Sequence, residues 1–103
     1  MRGLSGRQKR HLRSLGQQLQ PLLSIGKAGL TEAVIQAAGA LLDRQELLKV
    51  RLPPGPAAER EALADRLAQA VAACRAGLVG RNALLYRPNG ALPPARRVAL
   101  PPD

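Results

Sequence analysis

The sequence predicts a small mixed α/β domain, a two-layer sandwich with elements in the order αβαβαββ and a mixed four-stranded sheet. Three observations carry this. Segments with apolar residues every three or four positions alternate with short apolar or alternating runs, so helical and strand periods take turns along the chain. Glycine and proline punctuate the boundaries, at Pro21, Gly26, Gly29 and the PPGP of residues 53–56. The 103 residues fit one domain. A chain of that size buries roughly 60–70% of its unfolded surface, enough for one core.

The first helix is expected over residues 4–19, with Ser5 as N-cap and Leu12, Leu15 and Leu19 on one stripe. Pro21 ends it. Leu22–Ile25 is short, apolar and bounded by Pro and Gly, which reads as a buried strand. Thr31 is the expected cap of a second helix, with Glu32 in its first turn and Val34, Ala38, Leu41 and Leu42 on its apolar stripe. That helix should end near Arg44. In Leu47–Leu52, Leu48, Val50 and Leu52 point one way and Lys49 and Arg51 the other. PPGP then introduces a third helix with the stripe Leu63, Leu67, Ala70, Val71, Cys74. Gly77–Gly80 and Ala83–Arg87 are expected to form a hairpin around Arg81-Asn82. Helices between the earlier strands imply crossovers and a mostly parallel sheet, closed by that antiparallel hairpin. Residues 1–88 form the expected domain. Residues 89–103 form a proline-rich tail, with Val98–Leu100 as its docking segment.

Charge is the strongest functional signal. The chain carries 16 basic and 7 acidic residues, a net +9. Residues 1–31 carry +6 with no acid, residues 32–65 carry −2, and residues 66–103 carry +5. A positive surface built from both ends of the chain points to a polyanionic partner. No run approaches the ~20 apolar residues of a membrane span, and no signal-type apolar segment follows the basic start. The acid-free, Arg-rich start has a transit peptide's composition but reads better as the first helix. Cys74 is the sole cysteine and His11 the sole histidine, so there is neither an intrachain disulfide nor a cysteine-based metal site. A cytoplasmic, monomeric protein without cofactor or metal is expected.

Four cations, Arg7, Lys9, Arg10 and Arg13, fan out over the first helix away from its leucine stripe. The second basic feature is GKAG at residues 26–29. Ten glycines in a chain this long produce about one GxxG by chance. There are three: GLSG at 3–6, GKAG and GLVG at 77–80. Only GKAG joins a strand to a capped helix with a cation inside. The first amides of a helix lack internal partners and sit at the positive end of its dipole, where a phosphate oxygen accepts from them. Glycines at 26 and 29 let a sugar–phosphate backbone approach, and Lys27 adds a mobile charge. Strand–GxxG–helix is how KH domains clamp a nucleic-acid backbone. The alternative is a tight turn that needs glycine for geometry alone. GKAGLT lacks the GxxxxGK[ST] pattern of a Walker A loop, and no GxGxxG is present.

Nothing in the sequence assembles a catalytic constellation. His11 lacks an obvious partner, Cys74 lies on an apolar stripe, and the acids read as solvated helix charges. Tyr86 is the only aromatic, so stacking platforms of the RRM or OB kind are excluded.

LSGRQKRHLRSLG, IGKAGLTEAV, ELLKVRL and VGRNALLYRP with a terminal RVALP follow one another in an order and at separations that resemble the YhbY-like ribosome-associated RNA-binding proteins. These are single CRM domains, named for chloroplast RNA splicing and ribosome maturation. The resemblance covers residues 4–101. It implies a fold like the C-terminal domain of translation initiation factor three. It further implies a bacterial protein that binds ribosomal RNA on precursors of the large ribosomal subunit and assists assembly. The family's RNA-contacting loop maps onto Gly26, Lys27, Ala28 and Gly29, with Thr31 beside it, and its basic first helix onto Arg7, Lys9, Arg10 and Arg13. The proline-rich end and the small residues Ala76 and Gly77 depart from the pattern.

The expected function is thus a non-enzymatic RNA-binding module that holds structured ribosomal RNA by its phosphates. The alternative is a module that binds a ribosomal protein or assembly factor through its helical faces. A small enzyme acting on a phosphorylated ligand ranks third.

Overall fold

The chain's first structural decision is made at Ser5. Its hydroxyl accepts from the Gln8 amide at 3.1 Å, and the Gln8 side-chain oxygen accepts from the Ser5 amide at 3.0 Å, a reciprocal capping box. The computed structural model describes residues 3–102; residues 1, 2 and 103, with the charges of Arg2 and Asp103, lie outside the described residues.

Helix α1 spans Gly6–Gly16, β1 Leu23–Ser24, α2 Glu32–Arg44, β2 Leu47–Arg51, α3 Ala57–Ala70, β3 Cys74–Val79 and β4 Asn82–Tyr86. A 3₁₀ turn, Pro94–Arg96, interrupts the tail. The αβαβαββ order and the mixed four-stranded sheet are as the sequence predicts. The sheet order is β1-β2-β4-β3. Only β1–β2 is parallel, while β2–β4 and β4–β3 are antiparallel. The mostly parallel expectation is therefore corrected. The α3 crossover does return β3 in the direction of β2, but the hairpin inserts β4 between them.

Strand alternation divides the core in two. On one sheet face Leu48, Val50, Leu52, Ala83 and Leu85 pack with Ala38 and Leu42 of α2 and Ala64, Leu67 and Ala68 of α3. This is the sandwich proper. On the opposite face Leu47, Ala76, Leu84 and Tyr86 pack under Leu12 of α1, so α1 adds partial cover to the second side.

Several boundaries move for identifiable reasons. α1 stops at Gly16 rather than Leu19, because Gln18 and Leu19 donate to the carbonyls three residues back and Lys49 Nζ donates to the carbonyls of Gly16 and Leu19 at 3.1 and 3.2 Å. Its packed face runs through Leu12 and Gly16, which leaves Leu15 exposed. The predicted buried strand Leu22–Ile25 is a two-residue edge strand with Leu22 exposed. Cys74 opens β3 opposite Tyr86 instead of extending the α3 stripe, and Ala70 is exposed on α3. The hairpin turns at Gly80-Arg81, one residue earlier than expected.

A register shift between Arg75 and Gly77 sets β3's contact with α1. Ala76 enters the second core, and Gly77 lies so close to α1 that a Cβ there would sit 2.7 Å from Arg13 Cγ. At Gly16 a Cβ would sit 2.8 Å from Leu84 Cδ2. The small residues of β3 thus let the basic helix approach the sheet.

The tail is fastened by Glu46, whose side chain is fully buried. Its carboxylate accepts from the amides of Asn89 at 2.6 Å and Val98 at 2.5 Å and from Arg97 Nε at 3.2 Å. Val98 and Leu100 pack against the second core, and Gln8 Nε2 donates to the Pro101 carbonyl at 3.0 Å. The Cα radius of gyration, 12.9 Å, matches the ~13 Å of a compact 100-residue domain, so the tail lies folded back on it.

Candidate nucleic-acid interface

GKAG connects β1, the edge strand, to α2. The Ile25 amide donates to the Arg51 carbonyl at 2.8 Å, and the chain then leaves the sheet. A turn closes when the Gly29 amide donates to the Gly26 carbonyl at 3.0 Å. Gly29 has φ +73°, a conformation that glycine adopts without strain. The turn pushes Lys27 and Ala28 outward, and both are exposed.

Thr31 caps α2, its hydroxyl accepting from the Val34 amide at 3.2 Å. The amides of Glu32 and Ala33, first in the helix, point outward as at any helix start. Thr31 therefore keeps only its hydroxyl proton for an external acceptor. Glu32 places an acid beside the loop, with a carboxylate oxygen accepting from Gln36 Nε2 at 3.3 Å.

The α1 cations Arg7, Lys9, Arg10 and Arg13 are all exposed. They occupy the sheet face opposite α2, while the loop lies at the β1 edge. The two predicted clusters are thus separate, and Arg51 connects them. Its carbonyl holds Ile25, the residue before the loop. Its side chain is exposed and shares a strand face with Lys49, which caps α1. Neither cation is among the site residues expected from sequence. The alternation of LLKVRL was the available signal, since it places both on one face; that α1 packs on that face is a tertiary fact.

Tyr86 is 4% exposed and belongs to the second core. Burial pushes its hydroxyl above the ordinary tyrosine range, as does the negative charge of Glu46. Arg87 is structural as well. Its guanidinium donates to the carbonyls of Val71 at 2.9 Å and Gly39 at 3.1 Å and meets Asp43 at 2.6 Å, tying the end of α3 and the second half of α2 to the sheet. His11 is half-buried and lines a cleft between α1 and the tail. Among the described residues no three His, Cys, Asp or Glu side chains gather to hold a metal ion, and no helix is long and apolar enough to cross a membrane.

Residues 4–87 match the model of the CRS1 / YhbY (CRM) domain. The chain belongs to this family. A Pseudomonas aeruginosa relative named "probable RNA-binding protein" is 35% identical, over 84% of this chain and 83% of its own. A Haemophilus influenzae relative named "RNA-binding protein" is 29% identical, over 86% and 90%. The solution structure of a Staphylococcus aureus protein described as "a putative RNA binding protein" superposes with a TM-score of 0.82 at 31% identity, covering 95% of this chain and 99% of that one. The CRM match ends at Arg87, so the Glu46 carboxylate lies inside the matched span and all three of its donors, Asn89, Arg97 and Val98, lie beyond it.

Proposed function

We propose that this CRM domain binds structured RNA through its phosphates and acts by binding rather than by catalysis. The GKAG turn at the mouth of α2 carries the reading. There, exposed Lys27, outward helix amides and a backbone free of bulky side chains converge. The +9 charge, the four exposed α1 cations and the names of the relatives support it. In this reading Gly26, Lys27, Ala28 and Gly29 contact the sugar–phosphate backbone, the Thr31 hydroxyl donates to it, and Arg7, Lys9, Arg10 and Arg13 hold a neighbouring stretch. The biological ligand is ribosomal RNA in precursors of the large subunit, met by a cytoplasmic monomer. The motif resemblance supports that assignment.

Lys27→Asp combined with Ala28→Asp tests the loop. Both side chains are exposed, so circular dichroism should match the wild type. RNA affinity should fall more than about tenfold, because two carboxylates would face phosphate. Unchanged affinity in a filter-binding assay removes the loop from the interface. Crosslinking in cells tests the ligand: large-subunit ribosomal RNA should dominate the attached sequences, and its absence overturns the ribosomal assignment.

A further inference from the structure

We infer that the sheet surface left bare beside α1 receives an unpaired base of the bound RNA. The inference rests on the RNA-binding reading above and adds a second kind of contact to it. α1 covers Leu47, Ala76 and Leu84 and stops short of the end of the sheet where the GKAG loop lies. Beyond its C-terminal turn is a groove of about 350 Å³, bounded by Arg13, Gln17, Lys49, Val79, Asn82 and Leu84. That volume is at the lower end of the roughly 300–1,000 Å³ of small-molecule sites, which suits one base.

Four features give the groove its chemistry. Val79, the last residue of β3, is 68% exposed and offers an apolar surface to a flat ring beside the buried Leu84. Gly77 contributes no side chain to the wall. Gln17 and Asn82 supply amides, the groups that pair with base edges. The Asn82 side-chain oxygen is buried and has no hydrogen-bond partner among the described residues. A rotation of that amide toward a base amino group would satisfy it. The charged lining is entirely positive, from Arg13 and Lys49.

Position and charge favour RNA as occupant over a protein segment. Arg51 pairs across the sheet with Asn82, and its carbonyl holds the residue preceding Gly26. A strand gripped at the loop therefore reaches the groove past the exposed Arg51. Phosphate alone would not use an apolar wall. With Tyr86 buried, a splayed base must lie on aliphatic carbon or on a guanidinium plane, and Val79 and Arg13 provide both.

Two RNAs test this: a blunt duplex, and the same duplex with one bulged adenosine. Wild-type protein should bind the bulged RNA about tenfold more tightly. Val79→Ser with Asn82→Ala should bring that ratio below about twofold. In NMR spectra of the wild type, the amides of Val79 and Asn82 should shift with the bulged RNA and not with the duplex. This arm needs no variant to fold. Equal wild-type affinity for both RNAs, a ratio untouched by the double variant, or silent groove amides while Gly26–Gly29 respond would each overturn the inference and leave the loop reading standing. The loop reading fails separately, if Lys27→Asp with Ala28→Asp binds the blunt duplex as wild type does.

Discussion

The Glu46 carboxylate and the Val98 amide are joined at 2.5 Å across 52 residues of sequence. Burial of the carboxyl group by itself favours the protonated acid. The amides of Asn89 and Val98 and the guanidinium of Arg97 outweigh it and hold Glu46 below its ordinary value. A carboxylate so stabilised contributes to folding above its unfolded-state pKa, and the contribution disappears as pH falls through the lower folded value. Thermal stability should therefore decline as pH falls below about 4.5. Glu46→Gln should remove part of that decline and cost about 1–3 kcal/mol at neutral pH. A Glu46→Gln protein with wild-type melting temperature at pH 7 would mean that the tail is not held this way in solution.

Gly16 and Leu84 set the closeness of the basic helix to the sheet. Alanine is the better helix former by up to about 1 kcal/mol, though less at a helix end. The added methyl would sit 2.8 and 3.0 Å from the two Leu84 methyl carbons, inside the second core. Overpacking of that kind costs about 1–3 kcal/mol. The clash should win, and Gly16→Ala should lower the melting temperature by several degrees. A rise would show that Leu84 relocates freely.

Arg87 joins the end of α3 to the body of α2 through the carbonyl oxygens of Val71 and Gly39. Its contact with Asp43 adds little, because that carboxylate is largely exposed. A lysine in its place offers no planar fork. Arg87→Lys should destabilise the fold by about 1–2 kcal/mol in urea titration. RNA affinity of the folded fraction should stay unchanged, which separates this structural arginine from the exposed ones.

Arg7→Glu with Arg10→Glu should weaken binding to unrelated RNAs by similar factors, since phosphate contacts carry no sequence information. The slope of log affinity against log salt should flatten by about 0.7–0.9 for each phosphate no longer neutralised. A weakening confined to one RNA sequence would contradict the phosphate role of α1.

Local chemistry explains which features were readable in advance. The caps at Ser5 and Thr31, the Arg44 end of α2 and the alternation of β2 depend on neighbours within four residues, so the chain spells them out. The GKAG turn was equally legible as a turn, because its glycines and the Thr31 cap lie next to one another in the chain. The stop of α1 at Gly16 was hidden, since one of its causes is a lysine 33 residues away. The bridging position of Arg51 was hidden for the same kind of reason.

The sequence by itself determined the element order, the helix caps, the basic loop and the cations of α1, because short-range hydrogen bonding and apolar period are written in adjacent residues. Only the tertiary structure decided that β4 inserts between β2 and β3, that the second sheet face is half covered by α1, and that Glu46 anchors the tail. Each of those depends on groups brought together from distant parts of the chain, where the free energy of packing, and not local preference, selects the partner.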